Sequence, residues 1–84
     1  MKRIKLSEFN DTMGILIDVQ HPLDYQKHPF SKINIYADKL LMNYKSCLDY
    51  QKKYYIICEK GYLSNKVVAM LEYFGYDVTQ VIRD

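Results

Sequence analysis

Apolar positions fall into short runs of two kinds along this chain. Gly14-Ile15-Leu16-Ile17-Asp18-Val19 is an apolar run of strand length that ends at the carboxylate Asp18, the pattern of a strand buried on both faces. Tyr54-Tyr55-Ile56-Ile57-Cys58 is a second, aromatic and β-branched, and predicts the central strand. Ser31–Tyr36 alternates polar and apolar residues and predicts a third, short strand; Tyr76–Ile82 predicts a last one and Met1–Lys5 an edge strand. Helical patterns separate them. Leu6–Phe9 reads as one helical turn with Ser7 as its cap, closed by Asn10-Asp11-Thr12 and Gly14. Pro22 opens a short helix through Lys27 that Pro29 ends. Ala37–Tyr44 places Leu40, Leu41 and Tyr44 on one face, with Cys47 and Leu48 a turn further on. Ser64–Phe74 carries Val67, Val68, Leu71 and Phe74 at helical spacing, with Ser64 as N-cap and Gly75 at the C′ position. Strands alternating with short helices predict an α/β fold, three layers deep, around a mostly parallel sheet of about five strands.

At 84 residues the chain is expected to be one domain, residues 1–84, and with 49% apolar residues it has enough to bury a core. A net charge of +2 gives no electrostatic case for nucleic acid. There is no apolar stretch long enough to span a membrane and no secretory h-region, so neither a membrane nor export is expected. Two cysteines far apart do not form a disulfide scaffold. Four zinc ligands could come only from Cys47, Cys58, His21 and His28, which contain no short-spaced pair, so no metal site is expected. A reduced, cytoplasmic setting follows. Nine tyrosines in so small a chain read as amphipathic cover for the core, and leave room for a homodimer.

The chemistry concentrates in Cys58-Glu59-Lys60-Gly61-Tyr62-Leu63-Ser64. A cysteine stands at the carboxyl end of the central strand, where ligands bind in open α/β sheets. The loop after it enters a helix, so free backbone N–H groups and the positive end of the helix dipole surround the sulfur. Gly61 supplies the positive φ that lets successive N–H groups curl into an anion-binding nest. That setting favours a thiolate and makes Cys58 the candidate nucleophile; the structural alternative is a buried strand-end cysteine. Cys47 reads as an apolar residue extending its helix face rather than as a resolving thiol.

Several segments together resemble the single-domain rhodanese family of sulfurtransferases. Leu16-Ile17-Asp18-Val19-Gln20 with Asp24-Tyr25 is similar to the family's Leu-Ile-Asp-Val-Arg and the Glu-Tyr after it. His28 and Ile33-Asn34-Ile35 stand where the family has Gly-His-Ile-Pro-Gly-Ala-Ile-Asn-Ile. Cys58 to Ser64 resembles the active-site loop Cys-x-x-Gly-x-Arg-Ser. Leu71 to Val78 resembles Leu-x-x-x-Gly-Phe-x-x-Val. The resemblance implies a rhodanese-like α/β/α domain in which Cys58 accepts a sulfane sulfur as a persulfide and passes it to a thiol or cyanide. Its persulfide would rest in the loop Glu59, Lys60, Gly61, Tyr62, Leu63 and Ser64. Its partner would be a small sulfur donor or a persulfide-bearing protein, and no cofactor or metal is implied. Asp18 and His28 are supporting candidates, Asp18 by holding backbone N–H groups of the Cys58 loop and His28 as a proton donor. Tyr62 is placed to meet a donor at the loop tip. The sequence departs from the family at Leu63 and Gln20, which replace arginines, and by losing both glycines around His28. Leu63 removes a bidentate anion donor that no lysine reproduces, which points away from thiosulfate, although Lys60 and Lys66 are candidate charges. The alternative is a non-catalytic rhodanese-like module that binds a partner or senses oxidants. The phosphatase reading of the same fold needs a longer loop and an arginine where Ser64 stands.

Overall fold

The computed structural model describes residues 1–84. Five strands form one sheet: β1 (Lys2–Lys5), β2 (Ile15–Asp18), β3 (Ile33–Asn34), β4 (Lys53–Ile57) and β5 (Asp77–Ile82). Their order is β1-β5-β4-β2-β3, and every neighbouring pair is parallel. Four α-helices connect them: α1 (Pro22–Lys27), α2 (Ala37–Met42), α3 (Tyr44–Cys47) and α4 (Tyr62–Tyr73), with a 3₁₀ turn at Leu6–Glu8. The α/β class and five-stranded sheet predicted from the hydrophobic pattern are what the structure shows, and the sheet is parallel throughout.

β4 is the centre because it is apolar on both faces. Tyr54, Ile56 and Cys58 face α2 and α4, where Ile17, Val19, Ala37, Leu40, Val67, Val68, Leu71 and Val78 complete one core cluster. Ile57 projects to the opposite face and is also fully buried. On that face Phe9 lies against Tyr55, ring centroids 5.1 Å apart. Side chains such as Ile56 and Leu71, with no exposed area, each contribute roughly 1.5–3 kcal/mol by burial.

Four local expectations need correction. The Ala37–Tyr44 helix is two: α2 ends at Met42, and Asn43 (φ −130°, ψ 26°) breaks the turn before α3. β3 is only Ile33–Asn34, because it pairs with β2 alone and nothing lies beyond it to extend the ladder. The 3₁₀ turn is capped from Lys5, whose backbone N–H donates to Glu8 Oε1 at 2.7 Å, not from Ser7. Ser64 does not cap α4. Gly61 is the N-cap, with φ +85°, and Ser64 sits inside the first turn. The helix therefore begins two residues earlier than its apolar spacing indicates: Tyr62 is exposed at a pocket rim, and Leu63 packs against the margin of the core while also lining that pocket. At the other end Gly75 does take the left-handed conformation, φ +91°. Tyr76 N–H donates to Leu71 O and Gly75 N–H to Glu72 O, both at 3.0 Å, which closes the helix with paired carbonyls.

Candidate functional site

Parallel pairing brings the carboxyl ends of β2 and β4 together. Asp18 stands opposite Ile57, and Val19 N–H donates to Ile57 O at 2.9 Å. Gln20 and Cys58 leave the sheet side by side as a result, and with Asp24, Glu59, Lys60, Tyr62 and Leu63 they line a pocket of about 270 Å³. Cys58 is only 4% exposed, so its sulfur is reached through this pocket rather than from open surface.

The early start of α4 gives the sulfur its surroundings. Gly61 turns the chain so that the Ser64 N–H, inside the first turn, donates to Cys58 Sγ at 3.2 Å. Ser64 Oγ is 3.4 Å from the same sulfur. One of the orphan donors that every helix start carries is thus spent on Cys58, along the positive end of a 12-residue helix. The backbone N–H groups of Glu59, Lys60, Gly61, Tyr62 and Leu63 have no acceptor in the protein and remain available to a bound anion. Gly61 O accepts from Gln80 Nε2 at 3.0 Å and from Asn65 N–H at 3.0 Å, which fixes the turn.

The supporting candidates lie elsewhere than expected. Asp18 is fully buried, but it does not hold the Cys58 loop. Its Oδ1 accepts from Gln20 N–H at 2.9 Å, and its Oδ2 from Gln20 Nε2 at 2.9 Å and Phe30 N–H at 3.0 Å. Gln20 is therefore the main hydrogen-bond partner of Asp18. The glutamine also donates to His28 O at 2.9 Å, so Asp18 and Gln20 together shape the 28–30 turn. Gln20 Oε1 is buried with no hydrogen-bond partner in the protein. The imidazole of His28 is exposed and outside the pocket lining; the residue contributes its carbonyl. Asp18 reaches the cysteine loop only at second hand: Arg83 lies over the Phe30 ring, 5.3 Å from its centroid, and pairs with Glu59 at 3.6 Å.

Lys60 lines the pocket, whereas Lys66 pairs with Asp38 at 3.7 Å on the α2 side. Tyr62 is 78% exposed at the pocket rim. Cys47 is half-buried against the core cluster and is not part of the pocket lining. No group of three or more His, Cys, Asp and Glu side chains is arranged to hold a metal, and no helix is long and apolar enough to cross a membrane. Two residues of the site are not apparent from the sequence: Gln20, which stands out there only as a lost arginine, and Gln80, a polar side chain inside a buried strand. Asp77 and Thr79 in the same strand are polar as well, so no signal in the sequence singles Gln80 out.

The sequence matches no family model and no curated protein. Solved structures do match. A rhodanese-related protein from Thermoplasma volcanium is 27% identical with a TM-score of 0.83, over 96% of this chain and 83% of that one. A rhodanese-like domain protein from Staphylococcus aureus is 26% identical with a TM-score of 0.81, over 96% of this chain and 84% of that one. The CoADR-RHD protein from Bacillus anthracis is 28% identical with a TM-score of 0.83, over 95% of this chain but 15% of that longer one. These matches, which share the fold over nearly the whole chain, support a single-domain rhodanese-like family for it.

Proposed function

We propose that this rhodanese-like domain carries sulfane sulfur on Cys58. The observation that carries the reading is the Ser64 N–H held 3.2 Å from Cys58 Sγ, at the N-terminus of α4 and on the wall of a ligand-sized pocket. A thiolate there attacks the outer sulfur of a donor persulfide R–S–SH. A bond forms between Cys58 Sγ and that sulfur, the donor S–S bond breaks, and R–S⁻ leaves. The product Cys58–S–SH gives its proton to the departing R–S⁻, and the persulfide anion so formed meets the free N–H groups of residues 59–63. A thiolate or cyanide then attacks the outer sulfur and releases Cys58 as thiolate. Sulfur moves with no net oxidation, so no cofactor enters the scheme.

The lining supports a persulfide on a protein or small thiol as the donor, rather than thiosulfate. The lining carries Asp24, Glu59, whose carboxylate pairs with Arg83, and one ammonium, Lys60, while Leu63 occupies the place of the family's anion-binding arginine. A dianionic donor finds no bidentate partner here. The free thiols Cys47 and Cys58 suit a reduced, cytoplasmic setting.

Intact-protein mass spectrometry tests the reading. Wild type and Cys58→Ser are incubated with thiosulfate, and separately with a small-molecule persulfide. The expected result is a cyanide-labile gain of one sulfur atom in wild type, larger with the persulfide and missing from Cys58→Ser. No gain from either donor overturns sulfur carriage and leaves the domain as a binding or oxidant-sensing module.

A further inference from the structure

A chain of hydrogen bonds reaches Cys58 from the far edge of the sheet. Arg3 on β1 stands directly across from Gln80 on β5, and Arg3 Nε donates to Gln80 Oε1 at 2.8 Å. Gln80, only 3% exposed, turns its amide nitrogen toward the cysteine loop. Gln80 Nε2 donates to Ser64 Oγ and to Gly61 O, both at 3.0 Å. Both amide protons of Gln80 are thereby committed, and its carbonyl is tied to a permanent cation that leaves no reason for the amide to flip.

This arrangement decides where the Ser64 hydroxyl proton goes. With Cys58 as a thiol, Sγ donates to Ser64 Oγ at 3.4 Å and the serine hydroxyl donates to Gly61 O at 3.3 Å; an ionised sulfur can only accept, and Ser64 Oγ, which accepts from Gln80, then has one proton to give and two neighbours to receive it, Gly61 O and Cys58 Sγ. Gly61 O already accepts from Gln80 Nε2 and from Asn65 N–H. A carbonyl oxygen has two lone pairs, and both are in use. The thiolate is the acceptor left over, and a charged acceptor makes the stronger bond. We infer that Gln80, oriented by Arg3, is a positioning residue that aims the Ser64 hydroxyl at the Cys58 sulfur, so that the sulfur anion receives two donors from Ser64 rather than one. The inference rests on Cys58 being the reactive atom of the proposed function. It does not depend on what sulfur donor the domain uses.

The test is the pH profile of iodoacetamide alkylation at Cys58, followed by peptide-resolved mass spectrometry so that Cys47 is counted separately. The proteins are wild type, Gln80→Leu, Ser64→Ala, the double variant and Arg3→Met, each checked for its melting temperature. Gln80→Leu is expected to move the midpoint of the profile up by about one pH unit and to slow alkylation near neutrality about tenfold, the scale of one charge-assisted hydrogen bond. Ser64→Ala is expected to do the same, and the double variant to do no more than either, because both remove one path. Arg3→Met is expected to give a smaller shift in the same direction. A folded Gln80→Leu protein with the wild-type profile overturns the inference, as do effects that add in the double variant. If Gln80→Leu does not fold, Arg3→Met on the exposed edge strand decides, and an unchanged profile there overturns it. Alkylation needs no sulfur donor, so an altered profile without persulfide loading sinks the sulfur-carrier reading alone, and loading with an unaltered profile sinks only the Gln80 inference.

Discussion

Gly61 is the position where backbone geometry and chemistry meet, and a larger residue there sets two costs against each other. Its φ of +85° and ψ of −11° lie in the left-handed region. Space is not the obstacle, since an added Cβ would meet nothing nearer than Gln80 Nε2 at 3.8 Å. The obstacle is the conformation itself, about 1–2 kcal/mol for an ordinary residue and about 3 kcal/mol for a β-branched one. Against that stand the bonds the turn holds at Gly61 O, from Gln80 Nε2 and Asn65 N–H, together worth roughly 2 kcal/mol net. In Gly61→Ala those bonds outweigh the strain, so the turn holds and the cost appears as stability, a melting temperature lower by about 4–8 °C per kcal/mol for a domain this size. In Gly61→Val the strain outweighs the bonds, so the turn relaxes. Ser64 then leaves the sulfur, and alkylation of Cys58 at neutral pH falls about tenfold. Gly75→Ala is the control: its φ of +91° carries the same penalty at the other end of α4, and there the new Cβ meets only the Tyr50 hydroxyl end at 2.9 Å. It should lose stability and keep Cys58 reactivity. Gly61→Val, folded and alkylated at the wild-type rate, would refute the reasoning that the turn activates the sulfur.

Other outcomes follow from the same geometry. Leu63→Arg restores a fork-shaped cation to the pocket lining, and thiosulfate-dependent persulfide formation by intact mass should rise at least about tenfold, with the persulfide donor less affected. Asp18→Ala orphans three buried donors on Gln20 and Phe30 and should cost about 3 kcal/mol or more in urea unfolding. Asp77, hydrogen-bonded by Lys2 at 2.5 Å, has its carboxyl held below the ordinary value of 3.8 by that bond and the lysine charge. Its contribution is present above the ordinary value and lost as pH falls from 3.8 through the lowered one. The pair is exposed, so Asp77→Asn should remove only about 0.5 kcal/mol above about pH 5 and flatten the acid limb of the stability curve.

Elements whose signal is local are legible in the sequence. The apolar runs of β2 and β4 mark strands buried on both faces, and Gly75 marks the end of α4, because burial and positive φ each demand particular residues. The cysteine loop is legible too, since a strand end, a glycine and a helix start stand within a few residues. What cannot be read depends on who meets whom. Ser64 has the chemistry of an N-cap, yet Gly61 takes that place and frees the serine for Cys58. Asp18 has the chemistry to bind loop N–H groups, but Gln20 lies two residues away and captures it first. Gln80 joins the site across 16 residues of sequence and Arg3 joins Gln80 across 77, distances at which no pattern along the chain carries a pairing.

That last separation has a consequence for the order in which the domain assembles. β1 finds its only partner in β5, with Lys2 opposite Thr79 and Lys5 opposite Ile82, so β1 waits for a strand far downstream of it. Closing such a span costs chain entropy before any contact repays it. A nascent chain that has already exposed Cys58 and α4 still lacks Gln80 to hold the loop and Arg3 to hold Gln80. Its thiol is present but not yet organised. The surroundings of Cys58 are in this way completed only when β1 and β5 have been stitched into one sheet, so that long-range strand pairing and organisation of the cysteine loop are a single event.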